Sequence, residues 1–113
     1  MKYISKDKTM VHKNSERCVA TEYPTGDGDI DMATVEISGR YPDEGRVINR
    51  ISKEICFVCK GGGKVVIEGK EIILHEGDVV QIDANEKYYW DGIMSLVISC
   101  TPAWTLEQHK KVE

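Results

Sequence analysis

Short apolar runs, three to six residues long and rich in Val and Ile, alternate with glycine between Glu54 and Trp90. Breaks at Gly61 to Gly63, at Gly69-Lys70 and at Glu76-Gly77-Asp78 read as tight turns between consecutive antiparallel strands. Upstream, Ala33, Val35 and Ile37 alternate with Thr34, Glu36 and Ser38, the period of a half-buried strand. Arg17 to Tyr23 forms another strand, ended by Pro24; Gly39 to Gly45 is a loop, and Arg46 to Ile51 resumes the strand pattern. Asp91-Gly92 signals a hairpin before a last strand, Ile93 to Cys100, closed by Pro102. The first 16 residues offer only Tyr3, Ile4, Met10 and Val11 for burial, which predicts one edge strand and a loop that leaves His12 solvated. In the tail, Thr105-Leu-Glu-Gln108 matches a capping box and predicts a short helix through Lys111.

Eight to ten short strands with almost no helix define an all-β class. Closure into a barrel or a double sheet is expected, because it removes the edges such a chain would otherwise expose. The 113 residues, 41% apolar, suffice for a single domain, 1–113, with its core at about 17–101. A net charge of -4, with lysines scattered among acids, offers no surface for a nucleic-acid backbone. No run approaches the ~20 apolar residues of a membrane span, and the N-terminus lacks a leader-like apolar segment, so a cytoplasmic location is expected. Cys18, Cys56, Cys59 and Cys100 lie in apolar strand runs and read as free thiols rather than a disulfide framework. Cys56-x-x-Cys59 sits mid-strand, where successive side chains diverge, and is a poor chelate or redox pair. Asp27-Gly-Asp29-Ile-Asp31 lacks the spacing and terminal glutamate of a calcium loop.

The spacing of Gly39, Glu54 and Gly61, followed by Gly77 and the segment Asp83-Ala-Asn85-Glu-Lys-Tyr88, resembles the two motifs of the cupin family over roughly residues 30 to 101. The resemblance implies a cupin-like β-barrel, a double-stranded β-helix or jelly roll of the RmlC-like kind, here with a short C-terminal helix or tail. It also implies a homodimer, since small cupins resemble one another in pairing. The family's metal site is not carried over. Its first two histidine positions fall on Ile48 and Arg50, or on Val47 and Asn49, and its last on Tyr88, leaving Glu54 alone of the ligand set. One carboxylate and one phenol do not hold a transition metal well at neutral pH, so no cofactor is expected. A nonstandard site joining Glu54 to His75 or His109 is the alternative.

The resemblance implies a cavity at one end of the barrel. Strand alternation turns Glu54, Cys56 and Val58 to one face, and Tyr88 and Trp90 together to one face with Tyr89 opposite. Ligand contacts are expected from Asn49, Arg50, Cys56, Trp90, Trp104 and His109, the last two folding over the mouth from the tail. Aromatic walls with a few polar groups suit a small polar ligand of the carbohydrate or carboxylate class. A second reading is a metal-independent sugar isomerase or epimerase, with Glu54 as base, Tyr88 as acid and Arg50 stabilising an oxyanion. In its bland form Arg50 and Glu54 are only an ion pair, and the barrel is a structural or sensory module filled by its own side chains.

Overall fold

The computed structural model describes residues 1–113 and consists of nine strands in one strongly curled sheet. The strands are β1 (Met10–Ser15), β2 (Cys18–Glu22), β3 (Ala33–Tyr41), β4 (Arg46–Asn49), β5 (Lys53–Ile67), β6 (Lys70–Leu74), β7 (Val79–Ile82), β8 (Tyr88–Thr101) and β9 (His109–Val112). Along one path the order is β1-β2-β3-β8-β4-β9, while β5 runs beside β8 and also pairs with β6 and β7. Every pairing is antiparallel. The two long strands, β5 and β8, pair from Lys53 opposite Thr101 to Ile67 opposite Tyr88, with one register shift between Val58 and Lys60. They are the spine around which the barrel closes. No helix is long and apolar enough to cross a membrane.

Closure depends on glycines that the sequence pattern assigned to turns. Gly61 to Gly63 lie inside β5, and Asp91-Gly92 lie inside β8, so neither is a turn. Gly92 faces Gly63 on one side and Gly39 of β3 on the other, a row of three glycines across three strands. A Cβ on Gly63 would stand 2.4 Å from the Asp91 carbonyl oxygen, and one on Gly92 2.6 Å from that of Gly62. Side chains would hold these backbones apart, and their absence lets the long strands bend sharply together. The turns at Glu68-Gly69 and Glu76-Gly77 are where the pattern placed them, the second fixed by Asp78 Oδ2 accepting from the His75 amide at 2.7 Å.

The interior follows alternation. From Lys53 to Val58 outward and inward side chains alternate strictly, placing Glu54, Cys56 and Val58 inside with Ile37, Val47, Val65, Ile82 and Leu96. Ile55, Phe57 and Val79 stay largely exposed on the outer face.

The tail departs from expectation. Leu106–Gln108 makes a single 3-10 turn without a side-chain cap, and the chain then becomes β9 rather than helix. Buried Gln108 finds better partners in the loop between β4 and β5. Its Oε1 accepts from the amides of Ile51 (3.0 Å) and Ser52 (2.7 Å), and its Nε2 donates to the Ser52 hydroxyl at 2.9 Å. With the glutamine so used, β9 pairs with β4 and brings His109 opposite Asn49.

Candidate functional site

A cavity of about 340 Å³ opens at one end of the barrel, within the size range of small-molecule sites, so the interior is not filled by its own side chains. Glu54, Tyr88, Trp90, Trp104 and His109 line it, as the alternation and the tail suggested. Asn49 stands buried directly behind the wall. Asn49 and two further expected contacts are thus absent from the lining. Arg50 is exposed beyond the end of β4 and forms no ion pair with Glu54, whereas Cys56 is fully buried within the core and never reaches the lining.

Other wall residues came without a clear signal. The sequence pattern puts Tyr41 in a loop, but β3 runs three residues beyond Ser38 and carries the parity of Val35 and Ile37 to it. Strand β1 turns Met10, His12 and Asn14 to the cavity and exposes Val11, the reverse of what hydrophobicity favours. His12 is therefore a half-buried wall residue, its ring 5.8 Å from that of Trp104, and not a solvated loop histidine. Asp31 uses its carboxylate to anchor the wall, accepting from the Cys100 amide at 2.9 Å and the Trp104 amide at 2.8 Å.

A chain of hydrogen bonds fixes the protons on this wall. The Trp104 indole is a donor only and gives its Nε1 proton to Asn49 Oδ1 at 3.0 Å, which identifies that atom as the amide oxygen. His109 Nδ1, 2.7 Å from the same oxygen, must then carry a proton. In the neutral ring this leaves Nε2 as acceptor, and the Tyr41 hydroxyl donates to it at 2.8 Å. On its other side the Asn49 amide donates to the Tyr88 hydroxyl at 3.4 Å, so the Tyr88 proton is free to turn toward Glu54.

Glu54 is the exceptional group. It is 5% exposed, its Oε2 accepts a weak 3.7 Å contact from the Cys100 thiol, and its Oε1 has no hydrogen-bond partner at all. Burial pushes its carboxyl up to about 7, against the opposing pull of Tyr88 and Cys100 as donors. The Tyr88 hydroxyl thus faces the carboxylate without closing a bond to Oε1. Burial also drives His109 down to about 4, helped by repulsion from His12, and raises both Tyr41 and Tyr88 above the ordinary phenol value.

These two shifts act on stability with opposite signs. Glu54 holds its proton more tightly when folded, so between about 4.5 and 7 it lowers stability as pH rises; His109 holds its proton less tightly, so between about 4 and 6.5 it raises stability as pH rises. From about 4.5 to 6.5 the slopes oppose each other in the wild type. Denaturant titrations across this window are expected to show Glu54→Gln gaining stability relative to wild type as pH rises, and His109→Gln losing it. Parallel profiles for all three proteins would refute the assignment.

No three His, Cys, Asp or Glu side chains converge in a metal-holding cluster. His75 lies exposed on the turn before β7 beside Asp78, remote from the wall, and His109 already spends both ring nitrogens on Asn49 and Tyr41.

A nine-stranded antiparallel barrel with an open end, polar and aromatic within, defines a small β-barrel of the ligand-cavity type. The model of the cupin domain matches residues 44–92, which places that segment in the cupin superfamily. Among solved structures it is similar to Pac13 from Streptomyces, described as a nucleoside dehydratase and solved with uridine. That match has 18% identity and a TM-score of 0.88, and covers 100% of this chain and 92% of the other. It is also similar to an RmlC-like cupin from Shewanella frigidimarina (14% identity, TM-score 0.74, covering 91% and 93%). A third similar structure is KdgF from Halomonas sp. (14% identity, TM-score 0.70, covering 92% and 96%). No curated protein sequence matches the chain.

Proposed function

We propose that the cavity binds a small hydroxylated molecule of the carbohydrate or nucleoside class without a metal ion. The observation that carries this reading is Glu54 Oε1, buried in the cavity wall with no donor. An unmet acceptor of this kind costs about 1–3 kcal/mol, and a ligand hydroxyl meets it. Trp90, Trp104 and Tyr88 supply flat apolar faces against which a sugar or base ring packs. The likeness to a barrel solved with uridine supports the nucleoside branch. Of the two ligand classes expected from sequence, the carboxylate is disfavoured, because Arg50 does not reach the cavity to meet it.

A second reading is favoured by the placement of Glu54 beside the free proton of Tyr88. With its carboxyl near neutrality, Glu54 removes a proton from a carbon next to a carbonyl while Tyr88 donates a hydrogen bond to the resulting oxyanion. Returning that proton to a neighbouring carbon isomerises the ligand. Returning it to a departing hydroxyl releases water, the class of reaction named for Pac13.

One experiment reads both. Ligand-observed magnetic resonance in heavy water, run on chelator-treated protein with uridine, adenosine and common hexoses, is expected to show saturable line broadening that Glu54→Gln weakens. Under the second reading a carbon-bound proton of the ligand, or of an oxidised analogue bearing a carbonyl, also exchanges for deuterium, and exchange is lost in Glu54→Gln. If no member of the panel broadens, the binding reading fails; broadening without exchange leaves binding alone.

A further inference from the structure

The charged side chains of the cavity wall are all of one sign. Four carboxyl groups, Glu22, Asp27, Asp31 and Glu54, line the cavity, and no lysine or arginine does. Asp31 is occupied by backbone amides, and Asp27 accepts from the Asp29 amide, which holds its carboxyl below the usual carboxylate value. Lys2, whose charge acts on Asp27, lies outside the lining. Burial and repulsion from His12 hold His109 toward its neutral form, and its Nε2 is taken up by the bond from Tyr41.

An anionic ligand would enter this space with no lysine or arginine to receive it, and desolvating an unpaired charge is among the costliest steps in binding. A cation meets the opposite situation. At the inner end, the unpartnered Oε1 of Glu54 awaits a donor in a wall that also carries the rings of Tyr41, Tyr88, Trp90 and Trp104. Carboxylate and aromatic faces together form the usual surroundings of a bound ammonium, one by a charge-assisted hydrogen bond and the other through the ring quadrupole.

We infer that the site takes a ligand carrying a basic amine, an amino sugar or amino nucleoside, with its ammonium donating to Glu54 Oε1, and that it rejects the phosphorylated forms of the same molecules. The inference rests on the binding reading above and adds to it the charge of the ligand. Where Glu54 is protonated before binding, the ammonium displaces that proton to solvent, so the complex holds an ammonium–carboxylate pair and one proton is released. The groups that face Glu54 in this exchange are Tyr41, Cys18, Cys56, Tyr88, Cys100 and Asp31, none of them cationic.

The test is calorimetric titration of the full chain with uridine, adenosine and glucose, each as the parent, the amino-deoxy analogue and the monophosphate. On at least one scaffold the amine is expected to bind about tenfold or more tightly than the parent, and the monophosphate at least about tenfold more weakly. Amine binding should release protons near neutral pH, seen as a heat that depends on the buffer. In Glu54→Gln the amine-to-parent ratio should fall to about one. The wild-type ranking stands as a test by itself should that variant fold poorly. Parents that bind while amines gain nothing, or monophosphates that bind as well as their parents, overturn the inference and leave the binding reading intact. No binding by any compound overturns both.

Discussion

Gly63→Ala is expected to abolish the fold or to lower the melting temperature by more than about 15 °C. The added carbon would lie 2.4 Å from the carbonyl oxygen of Asp91 and 2.7 Å from the Cα of Gly92. Both are backbone atoms in the middle of the β5–β8 pairing, so relief requires prying apart the strands that form the barrel's spine. A small domain holds only about 5–15 kcal/mol of net stability, and a displaced central ladder removes a large share of it. Gly28→Ala is the matched control, because nothing lies within 4 Å of the position its Cβ would take. Thermal melts of the two variants decide the point, and a Gly63→Ala protein melting within a few degrees of wild type would remove the glycine row from any role in closure.

Asn49→Ala is expected to lose about 3 kcal/mol in denaturant titration, more than an average buried polar contact, because one side chain satisfies several others. Its oxygen accepts both the Trp104 indole and His109 Nδ1, and its amide reaches the Tyr88 hydroxyl. Truncation leaves two donors in the wall unpaired and releases the His109 ring from the orientation that presents Nε2 to Tyr41. Asn49→Asp separates the electrostatic from the steric part. It keeps the acceptor and adds a negative charge, so the His109 pKa, about 4 in the wild type, should rise. Histidine titration by magnetic resonance reads that shift directly, and an unmoved His109 in Asn49→Asp would show that the amide does not govern the ring.

The barrel was largely legible because strand alternation is a local property. Glu54, Tyr88 and Trp90 were placed by counting in twos along β5 and β8, and the count held. It failed where a residue's role is decided across the sheet. Gly61 to Gly63 and Gly92 look like turn residues alone, and only their register shows that they serve close approach. Gln108 matches a helix cap in sequence, yet two amides of another loop compete for its oxygen and win, turning the tail into strand β9. Arg50 follows the strand pattern of its neighbours, but β4 ends at Asn49, and the long side chain leaves for solvent. His12 and Tyr41 were missed for one reason: a cavity wall is the place where a barrel turns polar groups inward, against the pattern that finds cores.

The two tryptophans of the chain, Trp90 and Trp104, both stand in the cavity wall, and the indole of Trp104 lies between the rings of His12, at 5.8 Å, and His109, at 5.5 Å. All tryptophan emission from this protein therefore originates at the candidate site, with no background from elsewhere in the fold. The barrel carries its own optical probe, sensitive to whatever displaces water from those rings, and it needs no dye, label or engineered residue.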